Sequence, residues 1–443
     1  MLWCRKTSQH FILNLFLKNG IKKVETSLKS CIISLPKQNI YKGLLYTMNI
    51  TTNLLNLQAI IIDNFIENEN SITFFASTKP SKQICPHCGQ FASRIHGYRT
   101  QMFKDLSWRE KFVYVSLKKR RYICSCGKTF FENYPFLPKY HRATSRFFAA
   151  IINKLHTTNN QKVIAKEYNI SSNTVARILK LVSPTPAPDA LPEILAIDEF
   201  KGNTNGEKYH CILTDPKAHK LIDILPDRKK TNLISYFKAF KNRDKVKFFV
   251  MDMTGNYKDI AWLFPNAKII VDKFHWIRQI YWALDRVRKR IQKQFHEEKR
   301  KYFKTNRKLL LKRYDDLDPQ GKEEVSVMVR QHDDLYRAWL LKEYSFKIKE
   351  ATTKEEAEKS LFDWIMLAEQ AEIPEFKTCL TAYHNWSRAI INSIVYGYSN
   401  GYTEGTNNLI KVIKRNAYGY HKFENLRKRI FLVAKQHPTQ AAA

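Results

Sequence analysis

Three features of the sequence together predict a multidomain α/β protein: two paired-cysteine turns, two short amphipathic helices around a polar turn, and a proline-rich joint followed by short apolar strands. The chain of 443 residues has room for roughly three domains of about 150 residues each. With 44% hydrophobic and 13% aromatic residues it can fill real cores. Its 75 Lys+Arg against 41 Asp+Glu leave a formal charge of +34, a field whose usual partner is nucleic acid or an anionic membrane. No segment reaches the roughly 18 uninterrupted apolar residues of a spanning helix, so the membrane is excluded. The eight cysteines divide into four clustered and four scattered, which fits a metal site plus ordinary thiols and not a disulfide framework. A cytoplasmic protein that faces nucleic acid is expected.

Residues 1–47 hold eight Lys/Arg and one acid without periodicity. They are read as a poorly ordered N-terminal extension, with Met48 as the natural start. A ribbon domain is expected over 48–142, where Phe112–Leu117 is apolar on both faces until a basic run at 118–121. A helical domain follows over 143–182. The joint at 183–193 contains four prolines, which cannot sit inside a helix or a central strand. Beyond it, Ile194–Ile197, Tyr209–Leu213 and Lys220–Leu225 read as strands, with Gly202 and Gly206 in their turns. A helix at Leu233–Phe240 and strands at Val246–Met251 and Lys268–Val271 complete the first part of an α/β core, 194–275. Residues 276–390 read as a helical insertion, and 391–443 as the last part of the core, ending in basic helices.

Within the ribbon, Cys85 and Cys88 form one paired turn, and Cys124 and Cys126 the other, each followed at once by glycine. Four soft thiolates in tetrahedral array suit Zn²⁺, and Gly89 and Gly127 permit the tight turns. The second pair is spaced C-x-C, which strains a standard turn and leaves His87 and His141 as alternative ligands.

Residues 161–181 (QKVIAKEYNISSNTVARILKL) read as a helix-turn-helix. Val163, Ile164, Ala165 and Tyr168 supply one apolar face, and Val175, Ile178 and Leu179 the other. Ser171 or Ser172 caps the second helix. Asn173, Thr174 and Arg177 then point outward, where a recognition helix meets base edges.

Two acids stand at strand ends in the core, Asp198 after Ile194–Ile197 and Asp252 after Phe248–Met251. A carboxylate there is expensive unless it holds a metal, and paired metal ions serve in-line phosphoryl transfer. A third acid is needed, and Glu404, within SNGYTEGTNNLIKVIKR at 399–415, is the candidate.

These segments resemble the ISL3 family of bacterial insertion-sequence transposases. The likeness rests on CPHCG, AIDEF at 196–200, MDM at 251–253, FPNAKIIVDKFHWIRQ at 264–279 and the run at 397–430. It covers roughly residues 50–435, although the first 47 residues and the C-x-C pair depart from the family pattern. The resemblance implies an RNase H-like core whose DDE triad maps onto Asp198, Asp252 and Glu404 as catalytic residues and ligands of Mg²⁺ (or Mn²⁺). It implies a DNA transposase that cleaves and transfers strands at the terminal inverted repeats of an element. Asp272 and His275 match a D-x-x-H signature of related families, as accessory or structural residues.

Trp276–Tyr314 carries fourteen Lys/Arg and three acids and is read as a DNA-facing surface, with Arg288, Lys289 and Arg290 at its centre. Lys411, Lys414 and Arg415 follow Glu404 on a second basic helix. The partners expected are double-stranded DNA, as element ends and target, and further copies of the chain. Two ends must be joined together, so a homo-oligomer, most simply a dimer associated with the nucleoid, is expected. The competing readings are a non-catalytic DNA-binding regulator, using the ribbon and helix-turn-helix alone, and a nuclease without strand transfer.

Overall fold

The computed structural model describes Leu55, Leu57 and residues 60–182 and 187–435. The extension expected over 1–47 lies outside them, as do residues 183–186 of the joint. The chain forms two compact units that divide after Arg146.

The first unit is built on a five-stranded sheet. Strands β1 (Ile60–Glu67) and β2 (Ser71–Thr78) pair antiparallel. After a small sheet of β3 (Gln83–Ile84) and β4 (Phe91–Ala92) come β5 (Ile95–Trp108), β6 (Lys111–Ile123) and β7 (Thr129–Phe131). The order is β1-β2-β6-β5, with β7 on the far end of β6. Every second residue of β2 is buried, as a half-covered strand requires. Its Ile72 and Phe74 pack with Phe103, Val113, Val115 and Leu117 in one core.

The second unit contains α1 (Ser145–Lys154, whose first turn holds the division), α2 (Gln161–Glu167) and α3 (Ser172–Leu181). Asn160 caps α2 by accepting from the Val163 amide at 2.8 Å. Ser171, not Ser172, caps α3, accepting from the Thr174 amide at 3.2 Å. Between the two helices Asn169 takes the left-handed conformation, φ 48°, that lets the chain reverse.

The core sheet follows: β8 (Ile194–Thr204), β9 (Glu207–Asp215), β10 (Lys220–Leu225), then β11 (Phe248–Met251) and β12 (Lys268–Val271). Its order is β10-β9-β8-β11-β12, with β8 to β10 antiparallel and β8, β11 and β12 parallel. Helices α4 (Lys230–Lys238) and α5 (Gly255–Ala261) connect the strands. The insertion runs through α6 (Lys273–Gln292), α7 (Glu297–Thr305), α8 (Arg307–Leu311), α9 (Pro319–Val329), α10 (Asp333–Glu350), α11 (Lys354–Gln370) and α12 (Lys377–Val395). Helices α13 (Gly401–Asn416) and α14 (Phe423–Ala434) close the chain.

Side-chain alternation along β8 sorts the two faces of this sheet. Leu195 and Ile197 join one continuous core with Trp276, Trp364, Tyr383 and Ile390, so the insertion is fused to the sheet. Ile194 and Ala196 face the other way, towards Tyr396 and Tyr398. Further along that same face Phe200 packs with Ile410, Ile413, Leu426 and Ile430 of α13 and α14. Asp198 falls between Ala196 and Phe200 in this alternation, and it therefore faces α13.

Two expectations are corrected. Gly202 was placed in a turn, yet β8 continues through it to Thr204, and only Gly206, φ 81°, turns the hairpin. Gly202 is needed for space: a β-carbon there would lie 1.7 Å from the His210 ring, which hydrogen-bonds to Thr204 Oγ1 at 2.7 Å. The second basic helix, expected to follow Glu404, begins at Gly401 and takes Glu404 into its first turn.

The clash at Gly202 makes a stability prediction. Gly202→Ala must displace a buried imidazole, and overpacking of this kind costs about 1–3 kcal/mol. A clear fall in the thermal unfolding midpoint of the full chain is expected; an unchanged midpoint would refute the packing argument.

Candidate functional site

The sheet itself brings the first two acids together. Strands β8 and β11 run parallel with Ala196 opposite Val250. Asp198 and Asp252 each lie two residues further on, so they emerge side by side. Helix α13 then crosses this end of the sheet, and Asp198, Asp252, His275, Glu404 and Asn407 line one cleft of about 480 Å³. Lys201, Lys411 and Lys414 stand in the same wall.

Each carboxylate is held by its own partners. Asp198 accepts from the Glu199 amide at 2.7 Å and from Asn407 Nδ2 at 2.8 Å. Burial, and then the neighbouring Asp252, push its carboxyl up to about 7. Asp252 Oδ2 lies 2.9 Å from His275 Nδ1, while its Oδ1 is buried without a hydrogen-bond partner among the described residues. Burial disfavours the imidazolium of His275, but the bond to Asp252 and that residue's charge outweigh it and raise the imidazole above its usual range. Burial and then Asp272 raise Glu404.

Asp272 has two structural bonds. Its Oδ2 caps α6 by accepting from the Phe274 amide at 3.2 Å. Its Oδ1 accepts from the Asn400 amide at 3.0 Å, which fixes the approach to α13. One ligand atom from each of Asp272, His275 and Glu404 lies within 4.8 Å of the others, so these three could share a cation. Sequence reasoning missed Asn407 and Asn400. Asn407 follows Glu404 by three residues, one helical turn, and that spacing was the available signal.

The four cysteines converge despite the C-x-C spacing. Cys88 and Cys124 Sγ are 3.5 Å apart, Cys85 and Cys126 Sγ 3.8 Å, and all four lie within 4.8 Å of one another. A tetrahedral site with metal–sulfur bonds of about 2.3 Å sets its sulfurs about 3.8 Å apart, so the array fits Zn²⁺. Gly89 and Gly127 both take positive φ, 75° and 81°, as their amides turn back to Cys85 and Cys124 oxygens. The Cys126 amide, acting on the Cys124 sulfur, is the main cause that lowers its thiol to about 6, towards the thiolate a metal needs.

The residues expected to touch DNA separate into two groups. Asn173 and Arg177 are exposed on α3, with Thr174 half-buried beside them and accepting from Arg177 Nη2 at 3.2 Å. Lys411 and Arg415 are exposed on α13, while Lys414 is half-buried and donates to the Lys201 carbonyl. Arg288 is a correction. It is only 3% exposed and bonded to Asp285 at 2.7 Å, so it is an internal charge out of reach of DNA. Lys289 shares Asp285 at 2.9 Å but keeps an exposed stem, and Arg290 is tied to Asp334 and Glu375 at 2.6 and 2.7 Å. No helix among the described residues is long and apolar enough to cross a membrane.

Comparison with known proteins follows the same order along the chain. Residues 81–126 match a family described as the zinc-finger of transposase IS204/IS1001/IS1096/IS1165. Residues 132–182 match the helix-turn-helix domain of transposase family ISL3, and residues 195–430 match the ISL3 transposase domain itself. The transposase for insertion sequence element IS1001 from Bordetella parapertussis is 28% identical over 358 residues, 78% of this chain and 88% of that protein. The transposase for insertion sequence element IS1557 from Mycobacterium tuberculosis is 22% identical over 370 residues, 76% of this chain and 82% of that protein.

A zinc finger match and a tetrahedral thiol array make the same prediction. The purified chain is expected to carry zinc by elemental analysis, and Cys124→Ser to lose most of it; full retention would count against the four-thiol ligand set.

Proposed function

The chain belongs to the ISL3 family of transposases, and from that premise we propose that it binds the terminal inverted repeats of an insertion sequence and catalyses Mg²⁺-dependent cleavage and strand transfer. The observation that supports this reading is the meeting of Asp198, Asp252 and Glu404 in one cleft, from the middle of β8, just past the end of β11, and the first turn of α13; Asp198, expected at a strand end, lies within β8. In this reading the core is RNase H-like and the three acids are its catalytic residues.

Two observations support a divalent cation here. Asp252 Oδ1 is a buried carboxylate oxygen with no hydrogen-bond partner among the described residues, and Asp198 is crowded against a second acid. Asp198, Asp252 and Glu404 would hold Mg²⁺ or Mn²⁺, which when bound supplies charge stabilisation at the attacking and leaving oxygens of in-line phosphoryl transfer.

The protein's own residues supply orientation and proton handling. Asn407 and the Glu199 amide fix the two oxygens of Asp198. His275 holds Asp252 through Nδ1, and the bond and charge of Asp252 raise its proton affinity against the cost of burial. Glu404, whose proton affinity is raised, orders the attacking water or 3′-hydroxyl and accepts its proton at a carboxylate oxygen. Lys411 and Arg415 hold the backbone of the reacting strand, and Asn173, Thr174 and Arg177 read base edges of the repeat. Joining two ends calls for at least two copies of the chain, a homodimer in the simplest case, acting on DNA in the bacterial cytoplasm.

The test separates binding from chemistry. Asp252→Asn should bind a plasmid-borne element end as wild type does. Its Mg²⁺-dependent cleavage should fall by more than about a hundredfold, the scale on which preorganised electrostatic groups act. Unchanged cleavage would falsify the triad; lost binding with intact cleavage would be equally fatal.

A further inference from the structure

Phe274, Arg278 and Trp282 follow one another at four-residue intervals on α6, which places them on one face of the helix. Phe274 is 56% exposed and Trp282 44% exposed. The Arg278 guanidinium carbon lies 5.1 Å from the Phe274 ring centre and 4.6 Å from that of Trp282. Neither ring belongs to the core that the insertion shares with the sheet. The result is an open strip of ring, guanidinium and ring, with a helical rise of about 12 Å from end to end.

The strip begins where the cleft ends. Phe274 is the neighbour of His275, and their rings meet edge to face at 5.8 Å. Arg278 Nη2 lies 3.1 Å from His275 Nδ1. That nitrogen can serve one partner only, and with its proton given to Asp252 the guanidinium is a neighbour and not a donor to it. Arg278 Nε is buried without a hydrogen-bond partner among the described residues, and the guanidinium stacks against both rings.

We propose that this strip is a stacking platform for one or two unpaired nucleobases of the DNA strand entering the cleft. The inference rests on the transposase reading and names a feature of its substrate. Two large rings left open beside a charged cleft mark a binding surface. Their chemistry selects the ligand. Phe has no hydrogen-bonding group and Trp a single donor, so neither reads the groove edges of paired bases. Aromatic faces and a guanidinium plane instead take the π-face of a base, and a base exposes that face only when it leaves the duplex stack. A strand whose phosphodiester must reach carboxylates at the end of a sheet has such bases available once its end frays. The charge between the rings is positive, which suits the phosphates flanking the base.

The test compares a blunt DNA duplex of mixed sequence with the same duplex ending in a short unpaired tail that carries 2-aminopurine. Binding is measured without divalent metal, so that no cleavage occurs. Wild type should favour the tailed duplex and quench the 2-aminopurine. Phe274→Ala/Trp282→Ala should lose that preference by about tenfold or more and lose the quenching, with binding to the blunt duplex unchanged. Trp282→Phe, which keeps a ring, should retain most of both. Equal binding of the two duplexes by wild type overturns the platform and leaves the transposase reading standing, and so does an equal loss on both in the double variant, which would make the face a backbone contact. Wild type that binds neither duplex overturns the reading underneath as well.

Discussion

Repulsion between carboxylates is the constraint around which the second unit is organised. Two unit charges about 4 Å apart oppose each other by roughly 4 kcal/mol at the effective dielectric of a protein surface. Asp198, Asp252 and Glu404 share one cleft, with Asp272 behind them. The fold answers with fixed partners. Asn407 and a backbone amide take Asp198, His275 takes Asp252, and two amides take Asp272. What is left over is instructive: among the described residues a buried oxygen of Asp252 has no hydrogen-bond partner, and burial and then Asp252 push the Asp198 carboxyl up to about 7. The protein has compensated its acids only in part, which supports the cation proposed for this cleft.

Helix α13 carries that arrangement outward. At its start the Asn400 amide is held by Asp272, and Thr403 meets Thr214 of β9 at 2.7 Å. One turn on, Asn407 reaches Asp198. At its far end Asn416 donates to the Thr158 carbonyl at 2.9 Å, just ahead of α2. Helix α14 adds Arg429, 1% exposed and bonded to the Thr157 and Asn159 carbonyls, and Lys428, bonded to Val182 O at 2.7 Å. Both ends of the helix-turn-helix are thus hydrogen-bonded to the helices that follow Glu404. Sixteen residues of helix, about 24 Å, link the outward-facing residues of α3 to the acids by contacts within one unit.

The parts of this that were legible in the sequence are those set by local pattern. The apolar run before Asp252 ends where β11 ends, and the run before Asp198 ends where the parallel pairing of β8 to β11 stops, because strands buried on both faces read as continuous hydrophobic sequence; that β8 goes on to Thr204 beside β9 was not legible. The cysteine turns were legible for their glycines, and the C-x-C pair cast doubt only because spacing says nothing of how far β5 and β6 carry the two turns together. Other features depended on partners remote in sequence. Gly202 reads as a turn residue until His210 is seen filling the space above it. Asn407 and Asn400 carry no signal until α13 is known to cross the strand ends. Arg288 reads as one cation in a basic run until Asp285, one of three acids there, is seen to hold it.

That last residue changes how the excess positive charge is understood. Within the fourteen cations of 276–314, Arg288, Lys289 and Arg307 all pair with Asp285, Arg290 with Asp334 and Glu375, and Arg313 with Glu350. Asp285 and Arg288 are buried and must satisfy each other or become a large destabilising term, while Arg290, Arg307 and Arg313 pair from more exposed positions to residues elsewhere in the insertion. Pairing reduces what these cations add to the surface field without cancelling it, since Arg288, Lys289 and Arg307 share the one charge of Asp285, and that field is screened beyond a Debye length of about 8 Å at physiological salt. Lys411 and Arg415 form no ion pair among the described residues, and Lys411 lines the cleft itself. Cations fixed on the same helix as Glu404 can hold a phosphate backbone at a set distance from the acids, which a diffuse positive surface elsewhere could not do. Charge placement, and not total charge, therefore decides where a strand can come to rest.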